Sequence, residues 1–550
     1  MRRTLVSAVV VAVVAVGAGS AGYALFLSGP STPTSAAAPP RFVDDTSSAG
    51  LDTVYDGGVA YSVGGGVAAF DCNDDGKPDL FVPGGETAPS TIYVNRSAIG
   101  GTLRFEKRSG TGAELAQALG AYPLDIDGDG VIDLAVLRAG GTSLLRGRGG
   151  CGFGDLGSSL GFSEKGYDTA FSAKWEGSAT LPTIAIGRYR RVDINGNPTV
   201  DCGDDALYRP TAGGTSYGRA IELSPGYCAL SILFSDWDRS GRRDLRVTND
   251  RNYYVEGSDQ LWRVAAGVDP TLYAAESGWI SLQVAGSGIA TYDVTGDGLP
   301  DYYISGQGGD ELETLASGAT QPMFRDIAGK RGIAAGQPFT GGDIHPSTAW
   351  HADFQDVNDD GFVDLFVAKG NVSAQPDFAV KDPSNLLLGL PDGTFQEAAD
   401  VAGILSFARG RGAALTDFNL DGMVDLVELN YGAAIQVWRN VGSGDAANAA
   451  PQGHWLELRL VNVGSNRNAI GAWIEVQVGD ITLRREIDVG GGHAGGQLGW
   501  VHFGLGPASS AKVRVIWPDG TQGPWAGVNG NAFYEIRPGV AEPMLWQPES

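Results

Sequence analysis

Short apolar runs, each preceded by a polar, Asp-rich stretch, recur along most of the chain: Leu80-Phe81-Val82, Leu134-Ala135-Val136, Tyr302-Tyr303-Ile304 and Leu365-Phe366-Val367. Runs this short, rich in β-branched and aromatic residues and bounded by turn residues, predict strands. From Trp455 the pattern changes to alternation, in Trp455-Leu456-Glu457-Leu458-Arg459-Leu460-Val461, Trp473-Ile474-Glu475-Val476-Gln477-Val478 and Lys512-Val513-Arg514-Val515-Ile516-Trp517. Alternation of period two predicts half-buried antiparallel strands, here a small β-sandwich of about 85–95 residues. With 83 glycines and 19% charged residues, the composition suits tight turns and close strand packing, and little helix is expected.

The polar stretches share one pattern, D-x-[DNST]-x-[DS]-G-x-x-D, in six copies beginning at Asp71, Asp125, Asp236, Asp293, Asp356 and Asp417. Calcium is a hard cation that takes six to eight oxygens, and oxygens at alternate positions of a curled loop converge on one point. Positions 1, 3, 5 and 9 are therefore the candidate ligands. They are Asp71, Asn73, Asp75 and Asp79; Asp125, Asp127, Asp129 and Asp133; Asp236, Asp238, Ser240 and Asp244; Asp293, Thr295, Asp297 and Asp301; Asp356, Asn358, Asp360 and Asp364; and Asp417, Asn419, Asp421 and Asp425. Glycine at position 6, from Gly76 to Gly422, permits the turn. Ordinary Asp/Gly turns would explain Asp and Gly but not the fixed alternation. The third copy is the weakest, since Ser240 replaces a carboxylate and Arg239, Arg242 and Arg243 crowd it. Magnesium would demand tighter octahedral geometry, so about five or six Ca²⁺ ions are expected. An EF-hand shares these first nine positions but needs a Glu at position 12 and flanking helices. Position 12 is Val82, Val136, Val247, Ile304 and Val367, and only once Glu428.

Spacing turns the loops into an architecture. The interval from Asp125 to Asp236 is about twice any other, so a degenerate repeat is expected near residue 180, where 180–187 supplies a strand without the acidic loop. Units of about 55–60 residues suit the four-stranded blades of a β-propeller. The expected fold is all-β: a seven-bladed integrin-α-like β-propeller over residues 41–445, followed by a small C-terminal β-sandwich over 446–550.

The loops and the element before them, as in Gly65-Gly66-Val67-Ala68-Ala69-Phe70-Asp71, resemble FG-GAP/VCBS repeats, the repeats of integrin-α-like propellers. Asn468-Ala469-Ile470-Gly471-Ala472, His502-Phe503-Gly504-Leu505-Gly506 and Trp517-Pro518-Asp519-Gly520 resemble the ASPIC/UnbV domain of the cartilage acidic protein-like family, in a bacterial-type member. The resemblance implies secretion, calcium binding and extracellular interaction, and no defined reaction.

The formal charge of −25 excludes nucleic acid as a partner, because nothing would neutralise its phosphates. After Arg2 and Arg3 no charged residue occurs until Arg41; residues 1–40 read as an export element plus a Ser/Pro/Ala spacer, either a cleaved signal peptide or a single N-terminal membrane anchor. The chain is accordingly expected to be secreted or anchored outside the cytoplasm. The GxGxxG match at Gly17–Gly22 lacks the strand–turn–helix setting of a dinucleotide loop. Of three possible pairings, sequence proximity favours Cys72–Cys151 and Cys202–Cys228. No CxxC pair suggests zinc.

Catalytic signals are sparse. Five histidines form no zinc spacing, and His502 lies in the family motif. Gly214-Thr215-Ser216-Tyr217-Gly218 matches a nucleophile elbow that an all-β chain cannot house. Asn249–Tyr254 mixes polar and aromatic residues and reads as either a blade-packing loop or a binding surface. The first function expected is a non-enzymatic cell-surface module that holds an extracellular protein or glycan, with calcium rigidifying the blades. The alternative is an extracytoplasmic enzyme with its site in the propeller channel or at the propeller–sandwich interface.

Overall fold

The last aspartate of each acidic loop opens a strand. In the computed structural model, which describes residues 37–191, 199–250, 257–280, 284–372 and 375–548, Asp79–Val82, Asp133–Arg138, Asp244–Asn249, Asp301–Gly306, Asp364–Lys369 and Asp425–Asn430 all begin at loop position 9. The export element and the GxGxxG match lie outside the described residues, as does most of Asn249–Tyr254. Among the described residues no helix is long and apolar enough to cross a membrane.

Each of these strands pairs antiparallel with the strand before its loop and the strand after it, and a fourth strand completes a sheet. Six sheets are simple meanders in chain order, and the third of them, Tyr167–Lys174, Thr183–Arg190, Asp205–Tyr208 and Ile221–Leu223, is the one without an acidic loop. The seventh sheet takes Gly410–Thr416, Asp425–Asn430 and Gln436–Asn440 from the end of the region and Phe42–Asp44 from its start. Phe42 faces Asn440 and Asp44 faces Trp438 in that pairing. Joining the two ends of the region in one sheet removes the free edges that an open array would expose. Among the described residues helix is confined to three four-residue turns and three short 3₁₀ segments.

The C-terminal unit is two four-stranded sheets face to face. One holds Val501–Gly506, His454–Leu460, Ala532–Ile536 and Met544–Trp546; the other holds Ile481–Glu486, Trp473–Val478, Ser510–Ile516 and Ala526–Asn529. The alternating apolar positions Leu456, Leu458, Ile474, Val476, Val513 and Val515 fill the space between them. The opposite face of the same strands is not left to solvent: Glu457 is 1% exposed, Glu475 3% and His502 6%. That face is covered by the propeller.

A single segment of the sandwich, residues 489–497, runs through the centre of the ring. It meets the first strand of every sheet. Ala69 N donates to Gly496 O (3.2 Å), Tyr122 Oη to Gly491 O (2.7 Å) and Ser172 Oγ to Val489 O (2.7 Å). Gly491 N donates to Ile232 O (2.8 Å), Gly492 N to Ile289 O (2.7 Å) and His493 N to His351 Nδ1 (3.1 Å). Gln497 accepts from Leu415 N (3.2 Å), and Gln497-Leu498 adds a parallel strand to Ala68–Phe70. Glycine is required on both sides: a Cβ on Gly66 would lie 2.1 Å from the Ala494 carbonyl carbon, and one on Gly120 1.8 Å from Ala494 O.

Candidate metal centres

The six acidic loops share one backbone conformation. Position 6 is left-handed in all of them, with φ of 85, 91, 85, 92, 87 and 87° at Gly76, Gly130, Gly241, Gly298, Gly361 and Gly422. Position 4 is left-handed as well, at Asp74, Gly128, Arg239, Gly296, Asp359 and Leu420. Only the glycines were legible as left-handed in the sequence, because Leu and Arg rarely adopt that region.

Position 1 is tied to the turn: its Oδ2 accepts the position-6 amide at 2.7 Å in Asp71–Gly76, 2.8 Å in Asp125–Gly130 and Asp236–Gly241, 3.0 Å in Asp293–Gly298, 2.7 Å in Asp356–Gly361 and 2.6 Å in Asp417–Gly422. Position 9 clamps the loop to the sheet. Asp79, Asp133, Asp364 and Asp425 each accept one amide from loop position 2 and another from the third strand, at Asn95, Gly147, Gly389 and Asn440. Positions 3 and 5 curl inward on local Asx bonds, such as Asp75 N to Asn73 Oδ1 and Asp360 N to Asn358 Oδ1.

Carboxylates are thus gathered in a desolvated place with too few donors. Burial, and then neighbouring carboxylates, push Asp79 and Asp133 up to about 8 although each accepts two amides. Burial lifts Asp125 to about 6, Asp236 and Asp301 to about 7, and Asp356, Asp364, Asp417 and Asp425 well above the usual carboxylate range. Oxygens of Asp125, Asp127 and Asp133 lie within 4.8 Å of one another. Buried ligand-position oxygens on Asp236, Asp293, Thr295 and Asn419 have no hydrogen-bond partner among the described residues. A divalent cation would satisfy both the charge and the orphaned oxygens.

The loops are not equivalent. In the third copy Asp244 is already committed: Arg242 Nε reaches both its oxygens at 3.1 Å, and Trp237 Nε1 and Tyr273 Oη each donate at 2.9 Å. In the fourth, Arg484 pairs with Asp293 at 3.1 Å; in the second, Arg146 pairs with Asp127. Glu428, the lone acid at position 12, points to Ser384 of the neighbouring sheet and takes no part in its loop. Cys72 and Cys151, close to Asp79, are bonded to each other, and Cys202 to Cys228. Both disulfides suit an oxidising compartment outside the cytoplasm. Ser216 of the GxSxG match sits in an irregular loop beside Thr211 Oγ1 (3.1 Å), with no helix following.

Every loop touches the sandwich, a relationship no local motif encodes. Trp500 Nε1 donates to Gly76 O (3.0 Å), Asp125 N to Asn468 Oδ1 (2.8 Å) and Asp236 N to Glu486 Oε2 (3.1 Å). Arg484 reaches Asp293 as above. His502 lies between Asp359 Oδ1 (3.0 Å) and Glu457 Oε1 (2.9 Å); burial opposes its charge, but these two carboxylates hold its pKa well above the usual histidine value. Trp455 packs against Gly422, within a cluster with Leu420 and Phe533 that Trp500 and Trp546 flank.

The model of the FG-GAP-like repeat matches residues 71–136, and that of ASPIC and UnbV matches 462–543. The chain is 33% identical to cartilage acidic protein 1 of Homo sapiens and 32% identical to that of Xenopus tropicalis over 113 residues, 20% of this chain. It spans only 16% and 17% of the length of those relatives. Among solved structures, the BBS1N domain in complex with ARL6DN gives a TM-score of 0.42 at 10% identity, covering 75% of this chain and 100% of that one. An Agrocybe aegerita lectin gives 0.39 at 16% identity, covering 70% and 92%, and the Dos1 propeller 0.32 at 12%, covering 74% and 95%. The chain therefore carries an FG-GAP-like repeat and an ASPIC and UnbV domain on an all-β propeller-type fold, and is similar in part to cartilage acidic protein 1.

Proposed function

We propose that the protein is an exported, calcium-binding, non-enzymatic module that holds an extracellular protein or glycan, secreted or tethered by its N-terminal segment. The observation that carries the reading is the set of six like-folded loops that gather buried carboxylates, several of them without a paired cation, and on all of which the sandwich rests. Calcium there would neutralise the loops and stiffen the platform beneath the sandwich, a structural role. The chain's own residues would supply the carboxylate, amide and hydroxyl oxygens at positions 1, 3, 5 and 9, with Asp244 the exception because Arg242 holds it. The extracellular reading draws support from the two disulfides and from the FG-GAP-like and ASPIC and UnbV matches.

Calorimetric titration of chelator-stripped protein with CaCl₂ tests the metal. Saturable heat together with a rise in melting temperature is expected; neither heat nor shift would sink the reading. Glycan and protein arrays probed with and without chelator test the binding role, with calcium-dependent retention expected. Of the two placements for the alternative, an enzyme, residues 489–497 run through the channel with His351 and His493 buried there, which speaks against a channel site and leaves the propeller–sandwich interface.

A further inference from the structure

The third sheet departs from the others in its loop chemistry and not in its geometry. Lys174 pairs with Thr183 in the register of Phe70 with Asp79 and Thr416 with Asp425. The loop therefore has the length of a metal loop, with Trp175 at position 1 and Thr183 at position 9. Its one acid, Glu176, is committed to Arg209 at 3.1 Å. A metal has no donors here.

The sandwich leaves a large opening over this loop and beside the third acidic loop, at Gly241 and Arg243. A cleft of about 940 Å³ lies between Trp175 and Ser178 on the propeller side and Val463, Trp517 and Arg537 on the sandwich side. That volume is in the range of small-ligand sites. Trp175 is half-buried; its indole nitrogen is itself buried and has no hydrogen-bond partner among the described residues. Arg243, Arg514 and Arg537 line the cleft with a single lining acid, Asp519; behind the lining, Glu486 pairs with Arg243 at 2.9 Å and Glu535 with Arg537 at 3.0 Å. Arg239, Arg484 and Arg514 all converge on Glu475. Arg514 gives Glu475 its Nε and Nη2, and its Nη1 has no partner among the described residues.

We propose that this cleft binds an acidic saccharide, a sugar ring bearing a carboxylate. The aromatic face of Trp175 suits the C–H face of a pyranose, the Ser178 hydroxyl suits ring hydroxyls, and the remaining Nη1 edge of Arg514 suits the carboxylate. This inference rests on the binding-module reading and gives it a site and a ligand class.

The test is calorimetry on the calcium-saturated full chain with a tetramer of glucuronic acid and, separately, a tetramer of glucose. Saturable binding of the acidic tetramer is expected, at least about tenfold tighter than the neutral one and weakened by salt. Ser178→Glu and Arg537→Glu, both at exposed positions, should weaken it several-fold while melting temperature and calcium count stay unchanged. No saturable heat up to about 10 mM, equal binding of the neutral tetramer, or wild-type affinity in both variants would overturn the proposal. Calcium titration without sugar reports on the metal reading separately, and ligands found on the arrays report on the binding role, so failure here is distinguishable from failure of either.

Discussion

His493 donates its backbone N–H to Nδ1 of His351 across 3.1 Å, so the tip of the segment threaded through the ring is held by an imidazole from the sixth sheet. Burial pushes His351 down to about 4, and burial with the nearby Arg411 pushes His493 down to about 3. Both are neutral in the fold, whereas in the unfolded chain each would titrate near 6.5. The unfolded state then binds more protons below about pH 6.5, and stability present above that value is lost as pH falls towards the folded values. For His351 the loss approaches about 3 kcal/mol by pH 4. In calcium-saturated protein, melting temperature should fall between pH 7.5 and pH 5, and fall less in His351→Gln, whose amide oxygen can still accept from His493. Equal falls in the two proteins would contradict this.

Gly422 and Gly130 occupy the same loop position with φ of 87 and 91°, yet they meet different surroundings. A Cβ on Gly422 would lie 1.8 Å from Trp455 Cε2; one on Gly130 would meet nothing within 4 Å. Gly130→Ala should cost about 1–2 kcal/mol from backbone strain alone. Gly422→Ala adds overpacking against Trp455 and should cost about 3 kcal/mol or more. Denaturant melts of the two variants, with tryptophan fluorescence as the probe, check the difference.

Metal stoichiometry should follow the donor sets. Asp417→Asn removes a buried position-1 carboxylate and should lower the calcium bound, counted by elemental analysis after dialysis, by one ion per chain. Asp244→Asn should leave the count unchanged, because Arg242, Trp237 and Tyr273 already occupy that carboxylate. Chelation of the wild type should lower the melting temperature by several degrees, as expected for a ligand bound only by the folded state.

Reduction of the disulfides should act unequally. Cys72–Cys151 closes a separation of 79 residues and Cys202–Cys228 one of 26. Loop-closure entropy then assigns about 4.5 kcal/mol to the first and about 3.5 kcal/mol to the second. Cys72→Ala with Cys151→Ala should therefore destabilise more than Cys202→Ala with Cys228→Ala in equilibrium unfolding.

Strand starts and loop chemistry were legible because they are local. Nine residues from Asp417 to Asp425 contain the turn, the inward oxygens and the first residue of the next strand. Even the unlit repeat could be placed near residue 180, where Thr183–Arg190 is a strand. That Trp175 holds the place of a first aspartate was not legible, because only the pairing of Lys174 with Thr183 fixes the register.

The sandwich shows the division most clearly. Alternation at Leu456, Leu458 and Leu460 determined which face would be the core. It equally marked Glu457 and Glu475 as solvent-facing, and they are buried, since burial there is set by a partner hundreds of residues earlier. Gly490-Gly491-Gly492-His493-Ala494-Gly495-Gly496 reads as an unremarkable loop, because a glycine run specifies no conformation of its own. Period and spacing in the sequence determined the strands, the six loops and their candidate oxygens, all of which depend on neighbours within a few residues. Only the tertiary structure decided that the loops form the seat of the sandwich, that its glycine segment runs through the channel, and that a cleft opens beside the acid-poor loop of the third sheet. These follow from close approach of surfaces far apart along the chain, for which local pattern carries no signal.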